Sequence, residues 1–410
     1  MQHTGTRKVF NIIVIVAALG YFVDIYDLIL FSIVRVKSLE SLGITGSMNK
    51  TIGLYLLNTQ MIGMLLGGII WGVLGDKKGR LYVLFGTILL YSLANIANGM
   101  IQNLTQYYVL RFFAGVGLAG ELGIGITLVS EVMSKESRGY GTTVVAGVGI
   151  SGAIAGYFVA ESFDWRMAYY VGGVLGLLLL ILRISVYESG MFEKMKTSEV
   201  KKGHFISLFT DKKRFGKFIR CILVGVPVWY VIGVLVSFSD KIGGENGLNI
   251  VGTIEVSKSV MYHYIGASLG AFLTGMISQW LQSRRKALFI ALTGLLISLA
   301  WCYASHGISV NQFYFILFIV GIPNGFWSVF ITIASEQFGT NIRATVTTTV
   351  PNFVRGTTVL VTSAFSFFSN SLGIVGSAAA VGGVVLLLSF FSVYTLEESY
   401  HKELDYYENI

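Results

Sequence analysis

Charge is what this sequence has least of. Only 13% of its 410 residues are Asp, Glu, Lys or Arg, about half the share of an ordinary soluble domain. With 54% hydrophobic residues as well, that excludes a disordered segment, a coiled coil, a collagenous chain and a water-soluble enzyme. Cysteine is nearly absent. Cys221 and Cys302 both sit in apolar runs, so no disulfide framework is implied. No zinc-site spacing, Walker-type loop or nucleophile–base set appears in the loops, so neither metal, cofactor, ATP-driven pump nor membrane enzyme is expected. What is abundant is glycine, 49 residues, and aromatics, 13%, both suited to closely packed membrane helices. The net charge of +8 would ordinarily raise nucleic acid as a partner. Here the basic residues alternate with long apolar stretches, which reads as membrane topology and not as nucleic-acid binding.

A helix needs about 20 apolar residues to cross a bilayer. Such runs fall at 11–35, 51–74, 81–101, 106–131, 140–162 and 167–187, then at 217–238, 257–281, 286–305, 312–337, 344–369 and 372–396. The pattern predicts an all-α integral membrane protein of twelve spans. Its parts are an N-terminal six-helix bundle (1–187), a linker (188–216), a C-terminal six-helix bundle (217–396) and a tail (397–410). The first run holds Asp24, Asp27 and Ser32 and has no cleavage site after it, so it is no signal peptide. With the N-terminus inside, 22 of the 30 basic residues, from Arg7 and Lys8 to Lys402, fall on inner segments and six on outer ones. Arg111 and Arg355 alone lie inside helices. The positive-inside rule therefore predicts cytoplasmic termini in an inner or plasma membrane.

The two groups of six echo each other. "SEVMSKESR" closes the fourth span and "SEQFGTNIR" the tenth, so Glu131 and Arg138 recur as Glu336 and Arg343 after 205 residues. The basic loop ending at Arg80 matches one ending at Lys286, a shift of 206. Two like halves imply a pseudo-twofold axis along the membrane normal and a site between the halves near the midplane.

Several segments carry a family resemblance. "GDKKGR", Gly75 to Arg80, resembles the loop signature of the major facilitator superfamily, with glycines for a tight turn and Asp76 able to accept hydrogen bonds from a helix N-terminus. "RFFAGVGLAGE" (111–121), "DWRMAYYVGGVLG" with its exit "YESGMFE", the tail "LEESYHKELDYYE", and "FVDIYDL" in the first span resemble the metabolite:proton symporter branch and its sugar-porter and aromatic-acid relatives. Departures exist: Tyr187 and Gly190 replace the prolines usual beside Glu188, and "QSRRK" lacks the Asp and Gly of the second-half signature. The fifth span has no proline, which counts against an efflux pump.

An ionisable group at a helix centre costs on the order of 3 kcal/mol on insertion scales, so each needs a reason. Asp24 and Asp27, three apart, share a helix face and resist joint ionisation, which suits them to proton exchange. Arg111 is placed to reach Asp27. The resemblance implies a proton-sensitive Asp27–Arg111 pair; the alternative is a static ion pair. Glu121 joins this group either for coupling, facing Asp24, or for packing against small residues. Arg355, about 16 Å from either end of its span, suits a substrate carboxylate or an interhelical ion pair with one of these acids. Asp76, Arg80, Glu131, Arg138, Arg183, Glu188, Glu336 and Arg343 fall at inner helix ends and read as gate or packing ion pairs. Pro227 with Trp229 and Tyr230, and Pro323 with Asn324 and Trp327, mark kinks. In the superfamily these seventh and tenth helices line the cavity, so the four side chains are candidate substrate contacts. Asn58, Gln60, Asn352, Tyr262 and His263 are further polar candidates.

The expectation is a secondary active transporter working as a monomer, a proton symporter of a small carboxylate or zwitterion. A sugar:proton symporter or an organic-anion exchanger is the alternative. A non-transporting metabolite receptor is the rival of another class, for which a 29-residue linker (188–216) leaves no added domain.

Overall fold

The computed structural model describes residues 12–409; Arg7 and Lys8 lie outside that range. Among the described residues the regular structure is helical, with one isolated bridge between Val251 and Ser309. Among the described residues eleven helical stretches are long and apolar enough to cross a bilayer. The last, Arg343–Thr395, has 53 residues, about 80 Å at 1.5 Å per residue, far more than one crossing of roughly 30 Å needs. The chain turns within it at Gly373, where φ is 71° and ψ 173°, a left-handed conformation that glycine adopts without strain. Twelve spans result.

They are α1 Ile12–Ser41, α2 Gly46–Lys78, α3 Arg80–Asn98, α4 Leu104–Val132, α5 Arg138–Ser162 and α6 Trp165–Leu182. After short helices at Gly190–Lys196 and Ser207–Thr210 come α7 Lys212–Val236, α8 Val256–Trp280, α9 Arg284–Ala304 and α10 Val310–Glu336. Residues 343–372 form α11 and 374–395 form α12. Caps set several starts. Asn103 accepts from Gln106 N, Asp164 from Arg166 N and Met167 N, and Ser309 with Gln312 closes a capping box on α10. α7 begins at Lys212, ahead of the expected 217, because Asp211 accepts from Arg214 N.

The neighbour pattern repeats between halves. α2 packs on α4 as α8 packs on α10, and α3 on α4 as α9 on α10. Both first crossings depend on glycine: a side chain at Gly115 would strike the Gln60 carbonyl, and one at Gly270 the Ile322 carbonyl. The halves meet through two matching pairs, α2 with α11 and α5 with α8. Four spans are interrupted midway: α4 at Ala119–Gly120, α5 at Ser151, α7 by a π-helical turn over Val231–Val236 just after Pro227, and α10 at Gly325–Phe326 just after Pro323. Missing or misaligned backbone bonds at such points bend the helix and free carbonyls toward the interior. The ends of α2, α4 and α10, the starts of α5 and α11, and the tail share one end of the molecule, here termed the basic face.

Candidate functional site

Between the halves lies a cavity of about 30 Å3, lined from both sides by Tyr21, Trp229, His263, Asn324, Trp327 and Arg355 among others. That is of the order of one water molecule, so the site is contracted. Among the described residues that line it, Arg355 is the one arginine or lysine, and it is almost fully buried. Its Nη2 stands 3.7 Å from Asp24 Oδ2, its guanidinium lies 5.9 Å from the Trp229 ring centroid, and Nη1 donates to Asn352 Oδ1 at 3.2 Å. Asn352 Nδ2 in turn donates to the Ala119 carbonyl at 2.8 Å, a carbonyl at the interruption of α4. Among the described residues neither carboxylate oxygen of Asp24 accepts a hydrogen bond, and Arg355 Nε and Nη2 donate none. Opposite charges are therefore brought together across the halves with their strongest bonds unmade. Asn324 Nδ2 meets His263 Nε2 at 3.1 Å.

Around this cavity four placements differ from the sequence expectation, while Glu121 takes its packing alternative. Asp24 and Asp27 do not act on one partner: Asp24 turns to Arg355 of α11, while Asp27 faces Arg111 and Asn95 inside the first half. Arg111 does not close on Asp27. Its Nη2 donates to Gln60 Oε1, and its guanidinium stacks over Phe31 and Tyr169 with centroids at 4.8 and 5.8 Å. Glu121 is bonded to Arg183, both buried, and packs on Gly20 of α1. Arg183 thus leaves the set of inner-end residues, because its side chain runs back into the first half and donates to the Leu84 carbonyl at 3.0 Å. Tyr230 points away from the cavity. Its hydroxyl donates to the Ala378 carbonyl and meets Tyr303 Oη, each at 2.6 Å, so it packs α7 against α9 and α12.

At the basic face the halves are tied by two clusters of one design. Glu131 accepts from Arg80 Nε (3.1 Å) and Nη2 (2.8 Å), from Arg343 Nη1 (2.9 Å) and from Ser189 Oγ (2.6 Å). Glu336 accepts from Arg284 Nε (3.2 Å) and Nη2 (3.1 Å), from Arg138 Nε (2.7 Å) and from Ser399 Oγ (2.7 Å). Each glutamate takes a two-pronged arginine from its own half and one donor from an arginine of the other. Such charge-assisted bonds are strong when every lone pair is used. Asp76 accepts from Ala344 N (3.0 Å) and from Thr345 N and Oγ1 (2.8 and 2.7 Å), capping α11 at the positive end of its dipole. The tail covers both clusters: Arg343 Nη2 donates to the Leu404 carbonyl and Arg138 Nη2 to that of Lys402, at 2.5 and 2.7 Å.

The repeat match is corrected by this geometry. Arg284, not Lys286, is the counterpart of Arg80, since it alone reaches Glu336 in the same two-pronged way. Among the described residues Glu188 forms no ion pair with an arginine. It caps α3, accepting from Leu81 N at 3.1 Å. Glu398 does the same for α9, accepting from Ser283 Oγ, Arg284 N and Arg285 N. Burial alone would raise the Glu398 carboxyl, but these bonds and that from Tyr400 N outweigh it and hold the group below its ordinary range. Ser189 and Ser399 escaped the sequence reading. The Glu–Ser pair after the sixth and twelfth spans, 188–189 and 398–399, is the signal that finds them.

Among the described residues, twelve spans in two like halves, a closed charged face and a small cavity between the halves with Arg355 on its wall make the architecture of a multi-pass membrane transporter. Residues 12–377 match the Major Facilitator Superfamily, and the chain belongs to that family. A niacin transporter of Acinetobacter baylyi is 26% identical over 361 residues, covering 80% of each chain. A cis,cis-muconate transport protein of the same organism is 27% identical over 407 residues, covering 95% of this chain and 94% of that one. A solved proton:xylose symporter superposes with a TM-score of 0.77 at 17% identity, over 97% of this chain and 98% of that one, a likeness of fold. The chain is a transporter and not an enzyme.

Proposed function

We propose that the protein is a proton-coupled importer of a small carboxylate, acting by alternating access as a monomer in the inner or plasma membrane with its basic face in the cytoplasm. One observation carries the reading: the loose, hydrogen-bond-free contact of Arg355 with Asp24 at the wall of the central cavity. A substrate carboxylate offers Arg355 the bonds that Asp24 does not make, each charge-assisted bond contributing about 1.5–3 kcal/mol. Asp24 then loses its counter-ion in a helix core, where an unpaired charge is costly. Taking up a proton removes that charge, so binding of the anion and of the proton favour each other. Asp27, facing Arg111, is the second carboxylate of the coupling group, and Glu121 with Arg183 fixes α4 against α1. The niacin and muconate transporters among the relatives carry carboxylates, which supports the substrate class.

With proton and solute bound, the halves rock. Glu131 and Glu336 release Arg343 and Arg138, Asp76 releases α11, and the cavity opens to the cytoplasm. The test is uptake of labelled carboxylates into proteoliposomes under an imposed pH gradient. Accumulation that collapses with the gradient supports symport. Accumulation indifferent to the gradient but dependent on internal anion makes the protein an exchanger, and accumulation of neutral sugars alone overturns the substrate class.

A further inference from the structure

One helical turn deeper than the charged clusters lies a second layer that repeats with the same 205-residue shift. Thr127 of α4 meets Thr347 of α11, Oγ1 to Oγ1, at 2.5 Å. Thr332 of α10 meets Thr142 of α5 at 2.7 Å. Each is four residues from the member of the charged layer on its own helix: 127 from Glu131, 347 from Arg343, 332 from Glu336 and 142 from Arg138. All four hydroxyls are buried, and each contact joins one half to the other.

We infer that these two threonine pairs are positioning residues for transport: a hydroxyl layer that holds the inner side shut beneath the ionic gate and can part without stranding a polar group. The second property follows from the hydroxyls' other bonds. Thr127 Oγ1 also donates to the Gly123 carbonyl and Thr347 Oγ1 to that of Arg343, both at 2.8 Å. Thr332 Oγ1 donates to the Ser328 carbonyl at 2.7 Å and Thr142 Oγ1 to that of Gly139 at 3.2 Å. In each pair the contacts outnumber the two hydroxyl protons, so contacts share a proton. When the halves separate, each hydroxyl turns wholly to its own helix, a bond that threonine makes readily in helices. Breaking the layer therefore leaves no unsatisfied donor, unlike breaking a buried ion pair, which strands a charge. Close approach beside it is enforced by Gly123, where any side chain would meet the Thr347 carbonyl and Thr348 Cα at 2.5 Å.

The inference rests on the reading that the basic face opens during transport, and its test separates the two. Spin labels at Lys77→Cys, in the last turn of α2, and Gln282→Cys, in the loop between α8 and α9, lie at the basic face in opposite halves and report the ratio of parted to closed molecules with Cys221 and Cys302 replaced by serine. Interhelical hydroxyl bonds in membranes average about 0.6 kcal/mol, equivalent to about threefold in that ratio. Each of T127V, T347V, T142V and T332V should raise the ratio about threefold, and T127S should restore it. Within one pair the double variant T127V/T347V should do no more than either single, whereas T127V/T142V, drawn from both pairs, should multiply to roughly ninefold. A purely intra-bundle packing role predicts the reverse, with T127V and T347V multiplying freely. That result, or an unchanged ratio in variants where E131Q does part the labels, overturns the hydroxyl layer alone. If E131Q does not part them either, the gate reading falls with it.

Discussion

Arg355 and Asp24 face each other at 3.7 Å across the two halves of the molecule, and no hydrogen bond joins them. A pair meant only to hold helices together would close to about 2.8 Å and use both prongs of the guanidinium. This one leaves Nε and Nη2 unengaged at the cavity wall. The arrangement suits a cation that changes partner during each transport cycle.

Replacing Arg355 is the first consequence to check. Arg355→Gln removes the charge and the forked donors, and substrate affinity should fall about 10- to 100-fold, the worth of one charge-assisted bond or slightly more. Arg355→Lys should recover little, because a point charge does not reproduce the fork. Isothermal titration of the purified variants measures both.

At the basic face, Arg343→Met and Arg138→Met should have matching effects, since each removes one cross-half donor from an equivalent glutamate while the own-half arginine stays. Loss of a bond to a buried charge, about 1.5–3 kcal/mol, should shift the population toward the inward-open state roughly tenfold or more. Accessibility of engineered cysteines to a thiol reagent from the cytoplasmic side reads this. A large effect in one variant and none in the other would contradict the pseudo-symmetric gate.

The tail makes a prediction about pH. Glu398 titrates below its ordinary 4.5 when docked on the start of α9. Docking is therefore favoured at every pH above the released-state value and is lost only as pH falls through the docked value, below 4.5. Between pH 5 and 8, E398Q should lower thermal stability by a constant amount and leave the pH profile of uptake unchanged. A profile displaced within that window would make Glu398 part of the coupling machinery.

Much of this was legible in the sequence, for identifiable reasons. Apolar runs long enough to span a bilayer admit one kind of secondary structure, so all twelve spans were readable directly, the last two as separate runs at 344–369 and 372–396 that the structure joins in one 53-residue helix turned at Gly373. The 205-residue shift placed Glu131, Arg138, Glu336 and Arg343 correctly as equivalents, because short charged motifs at helix ends survive as patterns. Partner choice was not legible. Helical spacing puts Asp24 and Asp27 on one face, but three residues turn them by about 60°, enough to send one to α11 and the other toward α4. Arg183 was misplaced because sequence gives the position of a Cα at a helix end and not the direction of a long side chain. Tyr230 neighbours Trp229 in sequence, yet the turn of about 100° per helical residue carries it off the cavity face and onto Tyr303 and Ala378.

Proton uptake on substrate binding reads the exchange of counter-ions at Arg355 itself. Titrating a carboxylate substrate into the purified protein in buffers of different ionisation enthalpy gives the number of protons taken up per anion bound. The exchange of counter-ions at Arg355 predicts close to one proton in the native protein and close to none in Asp24→Asn, with substrate binding retained because Arg355 is then free of its rival. Undiminished proton uptake in Asp24→Asn would contradict the account.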